Sequence, residues 1–312
     1  MAELISTLAG EAASPFAFGT MQFGAGSADA DCDAICDACR RSGINVFDTA
    51  YGYTGGASER ILGRLIAKER DDILLITKCA HPAPSDRANL IRQFDESRLR
   101  LQQDMVDVLF LHRWDAVTPL EETMETLAGF VSAGQVRSIG VSNFSAWQTM
   151  KARNVAGNFG LTIDVIQPMY NLVKRQAEVE ILPMALSEGL AVTPYSPLGG
   201  GLLTGKYNAG DARGRIVENP EYASRYRENW MANTARDLQI FAAKRGLNPI
   251  TLAVAWVAHH PAITAPLISG KSLQQLKPSL DAIGIAMSQE LRNAMSALSP
   301  TPPPATDRLE EQ

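Results

Sequence analysis

Asp48, Tyr53, Lys78 and His112 are the residues of this 312-residue chain whose types and spacing suit chemistry. Asp48 closes the apolar run Ile44-Asn45-Val46-Phe47, and Lys78 closes Ile73-Leu74-Leu75-Ile76-Thr77. His112 closes Val106-Asp107-Val108-Leu109-Phe110-Leu111. Short apolar runs of this kind read as buried strands, so three polar groups stand at the C-terminal ends of three successive strands. Tyr53 follows in the loop after the first of them. Taken singly, each has a plain use: Asp48 as a loop cap, Lys78 as a surface lysine, Tyr53 as a loop aromatic, His112 as a satisfied core histidine. Their joint placement favours proton transfer. A tyrosine titrates at about 10, so it is a poor acid unless a neighbouring cation lowers that value. Lys78 can supply the cation and Asp48 can hold it. His112 can orient a substrate oxygen, and Tyr53 can protonate an oxygen that becomes an alkoxide. No side chain here is a reductant, so the natural complement is a hydride-carrying cofactor.

The elements that must position these residues alternate along the chain. Strands are expected at Phe16–Thr20, Ile44–Asp48, Ile73–Lys78, Val106–His112, Val136–Val141, Asp164–Gln167, Ala191–Tyr195 and Ala265–Ile268. Helices are expected between them: Ala28–Ser42, about Ser58–Lys68, Asp86–Gln103, Pro119–Ala133, Ala146–Val155, Glu178–Ser187, Thr234–Arg245 and Thr251–His260. Eight βα units in one series predict an α/β fold, a (β/α)8 TIM barrel formed as a single domain over residues 1–312. A doubly wound sheet is the runner-up. Leu8–Ser14 is expected as a short segment closing the barrel bottom before the first strand. Gly199–Trp230 is a long loop after the seventh strand, the place where barrels carry function. The proline-rich tail from residue 300 to 312 is expected to be mobile.

Composition sets outer bounds. With 46% hydrophobic and 20% charged residues the chain is of ordinary soluble type. No stretch approaches the roughly 18 apolar residues of a membrane-spanning helix, and the N-terminus lacks the basic segment of a secretory signal. A net charge of −5 offers nucleic acid no footprint. A cytoplasmic location, with neither membrane nor nucleic acid as partner, is the resulting expectation. Cys32, Cys36 and Cys39 have the spacing with which radical-SAM enzymes hold an iron–sulfur cluster. They also share one face of a helix with Ile35, as core residues would, and this second reading is preferred. His81, His259 and His260 form no ligand cluster, so no metal is expected.

Longer motifs carry a resemblance. Phe47-Asp48-Thr49-Ala50, Tyr53 and Gly56-Ala57-Ser58-Glu59 resemble the first signature of the aldo-keto reductase superfamily. Ile76-Thr77-Lys78 is similar to its lysine strand, and Asp107-Val108-Leu109-Phe110-Leu111-His112 to its histidine strand. Gly134-Gln135-Val136-Arg137-Ser138-Ile139-Gly140-Val141-Ser142-Asn143-Phe144 is similar to its fifth-strand signature. The likeness runs from about Gly19 to Leu280. It implies NAD(P)H-dependent reduction of an aldehyde or ketone, with Asp48, Tyr53, Lys78 and His112 as the catalytic tetrad. It also implies carboxamide contacts from Ser142, Asn143 and Gln167, nicotinamide stacking on Tyr195, and first-strand contacts from Gly19, Thr20 and Met21. The loop from Tyr195 to Lys206 would fold over the pyrophosphate through Ser196, Leu198, Gly200, Leu203 and Lys206. Thr54 stands where many members have glycine, and Ser279 where relatives often place an adenine-contacting Asn, which leaves Gln275 as the adenine contact. Some members, such as potassium-channel β subunits, serve partly as cofactor-sensing partners, an alternative function for this chain.

Two further segments bear on phosphate. Gly200-Gly201-Leu202-Leu203-Thr204-Gly205-Lys206-Tyr207 nearly spells a P-loop, but Tyr207 cannot take the magnesium-binding role that Ser or Thr plays there. No G-x-G-x-x-G is present, which disfavours a Rossmann mode. Ser269-Gly270-Lys271-Ser272 follows the eighth strand and opens a helix, where backbone N–H groups favour an anion. Lys271 suits the 2′-phosphate of NADPH, so NADPH is expected over NADH with modest discrimination, since lysine lacks the bidentate fork of arginine. Arg113 and Trp114 follow His112 and, with Trp230 from the long loop, are the candidate substrate contacts. Arg113 either meets an anionic substrate or pairs with Asp115.

Overall fold

The computed structural model describes residues 2–25, 27–208, 213–306, 308 and 310. Residues 209–212 of the loop after the seventh strand, and 307, 309, 311 and 312 of the tail, lie outside the described residues.

The strands are β1 (Ala17–Gly19), β2 (Val46–Asp48), β3 (Leu74–Cys79), β4 (Val106–Leu111), β5 (Val136–Ser142), β6 (Val165–Gln167), β7 (Ala191–Val192) and β8 (Leu267–Ile268). All pair in parallel in the order β7-β6-β5-β4-β3-β2-β1-β8. The two edges of that sheet meet: Leu267 N donates to Pro194 O at 2.9 Å and Thr264 N to Val192 O at 2.9 Å. This is the architecture of an α/β (β/α)8 barrel. β7 and β8 are shorter than the sequence suggests because Pro194 and Pro266 have no N–H to give the ladder. Their carbonyls still accept, Pro266 O from Ala17 N at 3.1 Å.

Helices α1 (Asp29–Arg41), α2 (Ala57–Ile66), α3 (Arg87–Leu101), α4 (Leu120–Ser132), α5 (Ala146–Gly157) and α6 (Ile181–Glu188) return the chain between strands. Beyond β7 lie α7 (Arg215–Glu218), α8 (Pro220–Arg225), α9 (Asn229–Ala243) and α10 (Pro249–Ala258), and beyond β8 lie α11 (Leu273–Leu280) and α12 (Gln289–Ser296). The long loop therefore contains two short helices, and α9 begins at Asn229 instead of Thr234. α12 has no counterpart in the sequence reading, although Ser288 caps it by accepting from Leu291 N at 3.1 Å.

Two apolar layers account for the largely apolar strands. One fills the barrel with Leu4, Ala17, Val46, Leu74, Ile76, Val108 and Phe110, among others. The other packs the helices on the outside of the sheet. Gly140 is required inside: a Cβ there would sit 2.5 Å from the Phe110 ring. The bottom is closed by a segment longer than expected, since Leu4 joins the inner core and Ala2 O accepts from Thr264 Oγ1 at 2.9 Å. Cys32, Cys36 and Cys39 are buried on α1 against the sheet. Burial pushes the Cys32 thiol up to about 11 and Cys36 up to about 12. These protonated thiols serve packing, as their helical spacing suggests.

The end of α10 carries a pH-dependent element. His260 packs edge-on against Tyr170 at 5.6 Å, and its Nδ1 accepts from Ala262 N at 3.1 Å. Burial first, then the Arg292 and Arg175 guanidiniums, hold its pKa down to about 4 against the opposing pull of Glu178. Between pH 6.5 and about 4 the unfolded chain binds a proton that the folded chain refuses, so stability falls as pH falls through this window. In His260→Asn, urea unfolding at several pH values should show a slope shallower by up to about 1.4 kcal/mol per pH unit. An unchanged slope would contradict the assignment.

Candidate active site

The four residues first noted converge. β2 delivers Asp48 and β3 delivers Lys78 on registered neighbouring strands, and His112 follows β4 directly, its N–H bonding to Cys79 O at 2.8 Å. Lys78 and Asp48 are buried and form a short ion pair. Lys78 Nζ also donates to Thr49 O at 2.8 Å and to the Tyr53 hydroxyl at 3.5 Å. The second oxygen of Asp48 accepts from Gln167 Nε2 at 2.9 Å. The Tyr53 and His112 rings meet edge-on at 5.7 Å.

The turn carrying Tyr53 is fixed from below. Thr54, Gly55 and Gly56 follow it in left-handed backbone. Thr54 tolerates this because its hydroxyl donates to Phe23 O at 2.8 Å and accepts from Ser58 N at 3.0 Å. Arg100 of α3 donates to Tyr51 O at 3.0 Å, to the buried Glu59 at 3.2 Å and to Glu96 at 2.7 Å. Glu59 in turn accepts from Thr77 Oγ1 at 2.7 Å, beside Lys78. A Cβ at Gly56 would lie 2.5 Å from the Arg100 guanidinium, so glycine is what allows that contact.

Burial dominates the electrostatics. It pushes Asp48 up and Lys78 down, and each is opposed by the attraction and hydrogen bond of the other. Burial holds His112 well below its usual value, with Lys78, His81 and Arg113 acting the same way, so its imidazole is neutral. Its Nδ1 is buried without a partner. Tyr53 is pushed well above the ordinary phenol value by burial and by Asp48. The sequence expectation that Lys78 depresses Tyr53 is thereby corrected: the lysine's charge is already matched by Asp48, and the phenol keeps its proton.

While Lys78 is fully buried, Asp48, Tyr53 and His112 open into a cavity of about 1820 Å³ at the C-terminal end of the strands. Gly19, Met21, Ser142, Asn143, Gln167, Tyr195, Ser196, Leu198, Gly200, Lys206, Ser269, Gly270, Lys271 and Gln275 all line it, as does Arg113. The Tyr195 hydroxyl donates to Asn143 Oδ1 at 2.6 Å, while Asn143 Nδ2 donates to His112 O at 2.9 Å. Five candidates stand elsewhere. Thr20 is buried under the site, bonded to Asp48 O at 3.0 Å and to Ser58. Leu203 is a core residue. Ser272 caps α11, accepting from Gln275 N at 3.4 Å. Trp114 turns away from the cavity to pack edge-on with Phe144 at 5.3 Å and Trp147 at 5.6 Å. Trp230 sits in the first turn of α9, outside the cavity lining. Sequence reasoning missed the wall residues His81, Gln22, Arg215, Tyr222 and Arg225. His81 had a signal in its place three residues after Lys78. The others lie in loops whose course no periodicity fixes.

Eight parallel strands with these residues at one rim leave few families. A sequence model of the aldo/keto reductase family matches residues 15–299. The chain belongs to the aldo/keto reductase family. The uncharacterised oxidoreductase YrpG of Bacillus subtilis (strain 168) is 32% identical over 305 residues, covering 91% of each chain. A probable voltage-gated potassium channel subunit beta of Arabidopsis thaliana is 32% identical over 267 residues, 81% of each chain. A norsolorinic acid reductase of Aspergillus flavus is 30% identical over 310 residues, 92% of this chain and 78% of that one. Membership of an aldo/keto reductase family supports an oxidoreductase that reduces carbonyl groups. No helix among the described residues is long and apolar enough to cross a membrane, and the described residues hold no cluster of three metal-ligating side chains.

Proposed function

We propose that this aldo/keto reductase reduces a small aldehyde or ketone to an alcohol at the expense of NADPH, with Tyr53 as general acid. The observation that carries the reading is the convergence of a protonated phenol, a neutral imidazole and a buried Lys78–Asp48 pair at one cavity mouth. A nicotinamide cofactor held there would supply the hydride for the reduction. His112 offers an uncharged N–H that orients the carbonyl oxygen. Tyr53 holds its proton until an alkoxide, a far stronger base, forms beside it. Lys78, anchored by Asp48 and Thr49 O, steadies the Tyr53 oxygen as charge moves onto it.

The residues present fit such a cofactor. Ser269 Oγ is buried with no partner, Gly270 has no side chain where a Cβ would press on α11 at 3.1 Å, and Lys271 stands exposed at the head of that helix. This is a cradle for a phosphate. Lys206, Gly200, Ser196 and Leu198 would meet the pyrophosphate, and Gln275 the adenine. Asn143, Gln167 and Ser142 would meet the carboxamide, with Tyr195 against the ring and Gly19 and Met21 beside it. The chain reads as one domain of cytoplasmic location. Lys271→Ala is expected to reduce the NADPH-over-NADH preference by about threefold to tenfold, the scale of one exposed point charge. An unchanged preference would remove Lys271 from this role.

A screen of NADPH oxidation over diverse aldehydes and ketones, with Tyr53→Phe as control, tests the reading. Turnover that depends on Tyr53 supports it. Cofactor binding with no turnover of any carbonyl would favour instead a cofactor-sensing protein, which the relationship to a potassium channel β subunit keeps in view.

A further inference from the structure

Arg113 lines the cavity directly after His112, and among the described residues it has no carboxylate within ion-pair distance and donates to no acceptor. Its obvious neighbour is engaged otherwise. The Asp115 carboxylate accepts from Ser85 N at 2.8 Å, Ser85 Oγ at 3.2 Å, Val117 N at 2.9 Å and Thr118 Oγ1 at 2.6 Å. Burial would raise its pKa, but these bonds outweigh burial and hold it at about 2. The pairing of Arg113 with Asp115 that the sequence leaves open is therefore absent. The guanidinium charge acts instead on the site, depressing His81 and His112 and stabilising the ionised form of Tyr195.

Further charges line the cavity from α7, Arg215 and Glu218, and from α8, Glu221 and Arg225. Glu221 faces His81 and raises its pKa, and its carboxylate lies 4.0 Å from Arg225. His81 and His112 contribute N–H groups without charge, since burial lowers both. A planar guanidinium with no partner is shaped to hold a planar carboxylate through two parallel hydrogen bonds.

We infer that the substrate is an oxo acid, an aldehyde or ketone whose carboxylate pairs with Arg113 while its carbonyl oxygen lies between Tyr53 and His112. This rests on the carbonyl-reductase reading and sharpens it to a substrate class. The carboxylate takes no part in bond making: its pairing with Arg113 orients the carbonyl and draws the substrate in.

The test compares matched pairs differing in charge, 4-oxobutanoate against butanal and 4-carboxybenzaldehyde against 4-methylbenzaldehyde, by NADPH oxidation. The full-length wild-type chain should favour the acid of at least one pair by about tenfold or more in kcat/KM, chiefly through KM, and the preference should shrink in high salt. Arg113→Gln should lower the acid-to-neutral ratio by about tenfold, and Arg113→Lys should keep part of it. Because Arg113 is exposed, melting temperatures should match the wild type and exclude misfolding. Equal kcat/KM within both pairs, or a preference unchanged in Arg113→Gln, overturns the inference while neutral carbonyl turnover leaves the reductase reading standing. Absence of turnover for all four compounds and throughout the wider screen would overturn both.

Discussion

Tyr53→Phe is expected to lower kcat by about 10²-fold to 10⁴-fold, the usual contribution of a positioned general acid, with cofactor affinity within about twofold of wild type. The argument is one of elimination among the groups at the rim. His112 is neutral because burial and Lys78 both oppose its charge, so at working pH it has no imidazolium proton to give. Lys78 directs its hydrogens to Asp48, to Thr49 O and to the Tyr53 oxygen, so its route to a substrate runs through the phenol. Tyr53, pushed well above its ordinary value, carries its proton throughout the neutral range. A phenol that does not ionise on its own can still protonate an alkoxide. The phenylalanine variant keeps the ring that packs edge-on against His112 at 5.7 Å and removes the one oxygen. Measured by kcat and by fluorescence titration of cofactor, retention of more than about a tenth of kcat would transfer the acid role to another group.

The barrel and its rim were legible because they rest on short-range rules. Asp48, Lys78 and His112 end apolar runs, and parallel strands buried on both faces must be apolar until they emerge. The strand ends at β7 and β8 were misjudged for an equally local reason, the missing N–H of Pro194 and Pro266. What the sequence could not supply was direction at the loops. Arg113 and Trp114 are neighbours with similar claims on the substrate, yet Trp114 finds Phe144 and Trp147 while Arg113 finds no partner. That outcome depends on Ser85, Val117 and Thr118 converging on Asp115, and Ser85 is distant in sequence. Likewise, α9 starts five residues earlier than its apolar pattern indicates and holds Trp230 in its first turn, outside the cavity lining, and no rule of spacing places Tyr222 or Arg225 on the cavity wall.

Lys78→Met is expected to abolish most activity and also to cost the fold roughly 3–5 kcal/mol, because one member of a buried ion pair is removed and the other stays. Asp48 would keep Gln167 Nε2 as a side-chain donor while staying buried. Without the ammonium, burial raises the Asp48 pKa unopposed by its largest favourable partner. The sign of the pH dependence follows. A carboxyl whose folded value lies above its unfolded value of 3.8 holds a proton that the unfolded chain has released. The folded variant then binds more protons than the unfolded one, so its stability falls as pH rises above 3.8, up to the raised folded value. In the wild type the attraction of Lys78 works against this loss, so the gap between the two proteins should widen with rising pH in urea unfolding. Lys78→Met combined with Asp48→Asn removes the stranded charge and should recover much of the lost stability, with activity still absent. If the double variant is instead no more stable than Lys78→Met alone, the cost lies in packing around a long buried side chain and not in an unpaired carboxylate.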